Sequence, residues 1–239
     1  MKELDLINKS EDGEFIGFYE MLLLPKDEIP VNRVADLLDL VELGSTPEIK
    51  VYALCLLVSW GNESAFDRLA KECSSGEGLL ELDKSSHRLR GYSTVYEKVL
   101  EAFICYWINQ VEVSEILGDG ARKKIFQPLS DIIEKSNRNP FELKKLYSHI
   151  LDYNWLEFAP LVKKHLEEVL SDDSGNQWKV VDAINFLDQY DVEFVSMALL
   201  KKQKSRKDFQ LDRCLENASR TRRVMRHLDL KWRSFYKKF

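Results

Sequence analysis

Apolar residues recur at helical spacing along most of the chain, and this periodicity restricts the fold more than any other feature. The segment Arg33–Leu43 carries leucine and valine at that spacing and is followed by Gly44, a residue that suits the end of a helix. The 239 residues include only 10 glycines and 6 prolines. A sheet protein needs many tight turns and more of these residues. We therefore predict an all-α fold.

A nine-residue pattern occurs twice in the second half of the chain. Residues 150–158 can be aligned with residues 186–194 at an offset of 36, with Leu, Asp, Glu and Phe identical and the apolar positions matched. Each copy reads as the end of one helix, a tight turn and the start of the next. Residues 57–66 follow a looser version of the pattern. A period near this length is typical of helical repeats, whose pairs bury their apolar faces by stacking.

These helix pairs, with an apolar-Asp or apolar-Trp ending before the turn, resemble HEAT-type repeats over roughly residues 33–73 and 140–202. The resemblance implies a single domain of stacked antiparallel helix pairs, a HEAT-like α-solenoid or irregular superhelix. An irregular helical bundle is the alternative. The likeness concerns architecture and carries no activity with it.

Several local signals predict where helices begin. Ser45 with Glu48, and Thr94 with Glu97, form capping-box patterns, and Asn62 is a further candidate cap. Residues 139–142 indicate another start, and residues 74–90 read as a long loop. The glycines at 118 and 120 predict a turn between two shorter helices. A faint likeness of residues 118–124 to a phosphate loop lacks the required GxxxxGK[ST] arrangement.

Charge is distributed unevenly along the chain. The formal net charge is −5, but residues 201–239 contain 14 basic and 4 acidic residues, so the preceding 200 residues carry −15. We expect an acidic helical-repeat body over residues 1–204 and a basic C-terminal capping segment over residues 205–239 of the same domain. No apolar run is long enough to span a bilayer, and the start lacks the pattern of a signal peptide. The expected location is the cytoplasm.

Known catalytic and metal-binding patterns are missing from the sequence. There is no GxSxG, HExxH, HxxxH or CxxC motif, and the four histidines lie far apart. The four cysteines, at positions 55, 73, 105 and 214, are expected to be reduced and structural. We therefore expect no enzyme activity, no catalytic residues, no metal and no cofactor.

The aligned turns supply a candidate binding site. If the repeats stack in register, acidic and aromatic side chains of the two copies line one ridge, which would suit a cationic protein partner. The alternative is that the aromatic residues pack against neighbouring helices. The candidate residues are Asp152, Tyr153, Trp155, Asp188, Tyr190 and Asp191.

The basic C-terminal segment interleaves cations with aromatic residues. It could form a terminal cap, contact an anionic membrane, or bind nucleic acid, since basic residues neutralise phosphates and aromatic rings stack on bases. The candidate nucleic-acid contacts are Arg220, Arg222, Arg223, Arg226, Lys231, Trp232 and Arg233.

Acidic, HEAT-like chains of this size resemble immunity proteins of bacterial toxin systems, which occlude basic toxin domains. That resemblance implies a non-catalytic protein-binding module that neutralises its partner through an acidic surface. A nucleic-acid-binding helical-repeat protein is the alternative. Some HEAT-like folds also resemble DNA-repair glycosylases, but those cradle DNA in a basic face, whereas the body here is acidic.

Overall fold

The computed structural model describes residues 2–75, 78, 92–171 and 177–211, and within these ranges it is all helical. They contain no β-strand, only an isolated bridge between Lys9 and Phe15. The all-α prediction is confirmed. The α-helices are α1 (Glu3–Asn8), α2 (Phe18–Leu22), α3 (Val34–Leu43), α4 (Pro47–Ser59), α5 (Glu63–Ser74), α6 (Thr94–Val113), α7 (Glu115–Ser136), α8 (Lys144–Asp152), α9 (Ala159–Val169), α10 (Gln177–Leu187) and α11 (Val192–Lys201).

The chain divides into two compact units, Met1–Leu161 and Val162–Phe239. The change in charge at residue 204 therefore falls inside the second unit rather than at its start. The predicted loop at residues 74–90 lies almost wholly outside the described residues, as does most of the basic segment.

The core of the first unit is built around α4. Every residue from Ala53 to Ser59 is buried, and α4 packs against α1, α2, α3, α5 and α6. A helix that is apolar on all sides needs such neighbours, because any side left uncovered would expose apolar surface. At the end of α4, the buried hydroxyl of Ser59 donates to the carbonyl oxygen of Leu56 (2.9 Å).

Alternate helices of the first unit run in the same direction. Near the starts of α4 and α6, the Lys98 Nζ lies 4.5 Å from the centroid of the Tyr52 ring, and near their ends the Asn109 amide donates to the carbonyl oxygen of Ser59 (2.6 Å). α5 and α7 are aligned in the same way. Lys124 pairs with Glu63 at the start of α5, and Lys135 donates to the carbonyl oxygen of residue 75 beyond its end (2.9 Å).

The helix starts agree only in part with the capping predictions. Asn62 caps α5 as predicted, its side chain accepting from the backbone N–H of Ala65 (2.9 Å). Thr46 rather than Ser45 caps α4, because the Ser45 backbone N–H (2.9 Å) and hydroxyl (2.5 Å) instead donate to Glu3. The predicted capping box at residues 94–97 is wrong, since α6 has Ser93 as its N-cap residue without a side-chain bond. The start predicted at residues 139–142 falls at residue 144.

The prediction of two shorter helices around residues 118–120 is also wrong. α7 runs uninterrupted from Glu115 to Ser136 and contains Gly118, Gly120 and Pro128. Each of these residues weakens an isolated helix. α7 packs against both α6 and α5, and tertiary packing of this kind outweighs local propensity. The likeness to a phosphate loop therefore falls inside a helix.

In the second unit, α10 packs against α11 and against a short 3₁₀ helix, Arg206–Phe209. Phe209 and Leu211 are buried beyond α11. Both aligned nine-residue segments lie at helix–turn–helix junctions, as predicted: one after α8 and the other between α10 and α11. The first junction contains an additional 3₁₀ turn, Leu156–Phe158, before α9.

Candidate functional site

The first group of predicted site residues follows α8, and the structure gives its members different roles. Trp155 is fully buried, with its ring 4.8 Å from Trp107 and nearly perpendicular to it. It therefore offers no surface to a partner. Tyr153 is 47% exposed and also rests on the Trp107 ring, at 4.6 Å. Asp152 is exposed. Of this group, only Asp152 and Tyr153 can be touched from solvent.

Tyr153 is held by a second ring. His149 stacks on it with the ring centroids 5.7 Å apart and the planes 10° from parallel. Burial lowers the pKa of His149, so its imidazole is neutral at pH 7. The exposed phenol is thus fixed between an indole and an imidazole, and it would lose little conformational entropy on binding a partner.

The second group of predicted site residues lies between α10 and α11 in the second unit. Arg206 donates two hydrogen bonds to Asp188 (2.5 and 2.6 Å). Asp191 caps α11 by accepting from the N–H of Phe194 (2.9 Å), and it also accepts from Lys163 (2.5 Å). The hydrogen bonds from Lys163 and Phe194 hold the pKa of Asp191 below its usual value. Both carboxylates therefore already have cationic partners, and only Tyr190 is largely exposed.

The two groups belong to different compact units, so each is described on its own. The predicted nucleic-acid contacts, from Arg220 to Arg233, lie outside the described residues. They stay a prediction.

A surface that the sequence analysis missed lies where α6 meets α7. α6 ends at Val113, and Ser114 caps α7 by accepting from the N–H of Leu117 (3.2 Å), so one residue joins the two long helices. Side chains at this junction extend beyond the core that the helices share. The exposed apolar residues here are Val111, Val113, Ile116 and Leu117, of which Ile116 is 84% exposed.

The turn after α8 lies beside this junction. The Arg122 side chain on α7 donates to the backbone oxygen of Asn154 (3.0 Å) and to both carboxylate oxygens of Glu157 (2.7 and 2.6 Å). The contact of Tyr153 with Trp107 ties the same turn to α6. We call the combined region the acidic turn surface. It consists of Val111, Val113, Ile116, Leu117, Tyr153 and Leu156 with the carboxylates Glu112, Glu115, Asp119 and Asp152.

None of the four carboxylates of the acidic turn surface forms a salt bridge within the described part of the chain, whereas the neighbouring Glu157 is paired with Arg122. Asp119 does interact electrostatically with Arg122. Residues 110–120 contain three acidic and no basic residues. Exposed apolar side chains among unpaired carboxylates form a surface that suits a partner with both apolar and cationic groups.

The cysteine thiols within the described ranges are buried. Cys55, Cys73 and Cys105 are free and buried, and burial raises the pKa of each thiol, to about 12 for Cys105. A protonated, buried thiol is a poor nucleophile. Among the described residues, no group of three His, Cys, Asp or Glu side chains could hold a metal ion.

No helix in the described ranges combines the length and the apolar character needed to cross a membrane. Comparison of the chain with protein-family models, with curated proteins and with solved structures finds no match.

A sequence signal for the acidic turn surface was available. The apolar stripe of α6 faces the core up to Asn109. Beyond that residue, apolar side chains are interspersed with acidic ones: Val111, Glu112, Val113, Glu115, Ile116, Leu117 and Asp119. Such a run is hard to bury, because its carboxylates would have to leave water.

Proposed function

We propose that the chain is a non-catalytic protein-binding module that docks a basic protein partner through the acidic turn surface. The observation that carries the proposal is the exposure of Ile116 and its apolar neighbours among four carboxylates that form no salt bridge within the described ranges. A few well-buried residues near the centre of an interface supply most of its affinity, and the surrounding charges steer the partner and select against wrong ones.

The specific role that we propose is that of an immunity protein that binds and neutralises a basic toxin domain in the cytoplasm. Inhibition by occlusion needs a rigid, preformed surface rather than reacting groups. The ring contacts of Tyr153 with His149 and Trp107 support such a surface, since they fix the exposed phenol before binding.

The architecture that we propose for the first unit is a stack of helix pairs. Support comes from the shared direction of α4 with α6 and of α5 with α7. α8 continues the first row. Lys145 at the start of α8 reaches Glu101 (2.8 Å), and Tyr153 just after the end of α8 reaches Trp107, which lies further along α6 in the same direction. In such a stack, the junctions within the pairs, such as the one between α6 and α7, fall at one end of the unit, where the acidic turn surface lies.

The test is a selection of binders for the full chain from a displayed random-peptide library, followed by titration of the synthesised peptides. We expect the selected peptides to combine lysine or arginine with a large apolar residue. Ile116→Ser should weaken their binding about tenfold or more. Leu200→Ser is the matched control, since Leu200 is 78% exposed on α11 in the second unit, and it should leave binding unchanged.

Charge reversal provides the second arm. Glu112→Lys with Glu115→Lys should weaken the same peptides mainly through slower association, because rim charges act on the encounter rate. Asp27→Lys with Glu28→Lys, two exposed acids elsewhere in the first unit, is the control. Selected peptides that are acidic, or that bind all four variants alike, would contradict the proposal.

The alternative function, nucleic-acid binding, has a distinct outcome. Binding of duplex DNA with a steep salt dependence that disappears in the variant Arg220→Gln, Arg222→Gln, Arg223→Gln would favour it. The substitutions at Ile116 and Glu112 would then have no effect.

A further inference from the structure

A groove of about 510 Å³ lies on α7 next to the acidic turn surface. One wall is formed by Asp119, Arg122, Lys123 and Phe126, which are spaced i, i+3, i+4 and i+7 and so share one face of the helix. The other wall is Glu157 in the 3₁₀ turn Leu156–Phe158. All five of these residues belong to the first unit.

Arg122 is fixed in one orientation. It donates through Nε and Nη2 to the two carboxylate oxygens of Glu157, and hydrogen bonding to Glu157 raises the pKa of Arg122. Burial acts to raise the pKa of Glu157, but the hydrogen bonds, chiefly from Arg122, outweigh it and hold that pKa below its usual value. Two-point pairing of this kind sets the plane of the guanidinium as well as its position.

The groove also contains a fixed aromatic ring. Phe126 is half-buried, and its ring centroid lies 4.9 Å from that of Phe158. An oriented guanidinium and a phenyl ring are both flat surfaces on which another ring can stack.

The charges of the groove do not favour a cationic occupant. Its two acids are matched by two bases, and Glu157 is already paired with Arg122. A lysine or arginine side chain that entered the groove would be attracted by Asp119 but repelled by Arg122 and Lys123. A neutral ring meets no such repulsion.

The groove is continuous with the acidic turn surface. Ile116 lies three residues before Asp119 on the same face of α7, and Leu156 directly precedes Glu157. We propose that this groove receives one aromatic side chain of the basic protein partner, stacked between Phe126 and the Arg122 guanidinium. The inference rests on the proposed function, because it assigns the anchor of the same partner. Aromatic residues in pockets are the commonest strong contributors to protein interfaces.

The test uses a probe that needs no partner. N-acetyl-5-fluorotryptophan amide is titrated into the full chain and followed by broadening of its fluorine resonance. We expect the broadening to saturate as the probe is titrated. We also expect that adding N-acetyl-lysine amide does not displace the probe. Phe126→Ala should weaken the fluorinated probe about tenfold or more.

Lys123→Trp keeps the test valid if Phe126→Ala perturbs folding. Lys123 is exposed on the wall of the groove, so an indole there can occupy it and compete with the probe. Lys71→Trp, an exposed lysine on α5, is the control and should leave binding unchanged.

Absence of saturable broadening, or equal broadening with wild type and Lys123→Trp, would overturn the inference. So would preferential binding of the lysine amide that Asp119→Asn abolishes, since the groove would then be a cation site. In each of these cases, peptides that depend on Ile116 would still support the proposed function. If peptide binding did not depend on Ile116 but the probe still bound, the proposed function would be contradicted. The groove would then remain a binding site for an aromatic ring.

Discussion

Two glycines in α7 differ in how much space their surroundings leave for a side chain. A Cβ atom added at Gly118 would overlap the Val111 side chain and lie 3.2 Å from its Cα, whereas a Cβ at Gly120 would meet nothing within 4 Å. Gly118 therefore allows the end of α6 to approach the start of α7 closely. Gly120 has no such role and only weakens the helix.

The two alanine substitutions should consequently have opposite effects. We expect Gly118→Ala to lower the free energy of unfolding by about 1–3 kcal/mol through overpacking against α6. Gly120→Ala should raise it by about 0.5–1 kcal/mol through helix propensity. Urea denaturation of the two variants beside the wild type measures both. Stabilisation by Gly118→Ala would show that Val111 can move aside without cost.

Single residues also limit what the candidate site can be. Trp155 and Tyr153 are two positions apart in one turn, yet the first is fully buried and the second half exposed. Both are aromatic, and no rule of composition distinguishes them. The difference arises because Trp107, 48 residues away from Trp155 along the chain, lies beside that turn.

At the scale of the helix, caps were predicted with mixed success. The observed N-cap residues of α5 and α6 form a matched pair for comparison. Asn62 accepts a hydrogen bond from the N–H of Ala65 at the start of α5, while Ser93 at the start of α6 accepts none. An N-cap bond satisfies a donor that the helix itself cannot.

Asn62→Ala should therefore destabilise the chain by about 1 kcal/mol, and Ser93→Ala should leave its stability within ~0.5 kcal/mol of the wild type. Thermal or urea unfolding followed by circular dichroism provides the comparison. Equal losses in the two variants would mean that the cap bond at Asn62 contributes nothing beyond the change of residue.

The length of α7 shows the limit of local signals at this scale. Glycine and proline in its sequence predict interruptions, but the helix continues through 22 residues because α5 and α6 cover it. Propensity acts within a turn, whereas burial acts along the whole element.

For the molecule as a whole, stability should depend on pH through a buried histidine. His165 on α9 is 2% exposed, and burial, with the nearby Lys179, lowers its pKa to about 3. An unfolded histidine has a pKa of about 6.5. Below that pH the unfolded chain binds a proton that the folded chain refuses, so stability falls as the pH drops from 6.5 towards 3.

Between pH 6.5 and pH 5 this one group should reduce the free energy of unfolding by about 1.5 kcal/mol. His165→Gln removes this titration. The free energy of unfolding of the wild type minus that of the variant, measured by urea unfolding at each pH, should therefore fall by that amount between pH 6.5 and pH 5. Other titrating groups cancel in this difference. A difference that stays constant with pH would show that His165 is protonated in the folded chain or is not buried.

The fold also determines which acidic residues are held in ion pairs and which remain available to a partner. The sequence shows an acidic body, but ion pairing decides which acids are available. Asp188 and Asp191, two of the predicted site residues, are paired with Arg206 and Lys163. Glu112 and Glu115, which the sequence did not single out, have no such partners within the described ranges.

Local patterns in the chain were enough to predict the helical class, the end of α3 before Gly44, the cap of α5 and the two helix–turn–helix junctions. These features depend on residues within a few positions of one another, through helical periodicity and backbone hydrogen bonds. Which aromatic rings are buried and which carboxylates are paired could not be predicted in this way. Those outcomes depend on contacts such as Arg122 with Glu157, 35 positions apart, and the distance along the chain does not encode them.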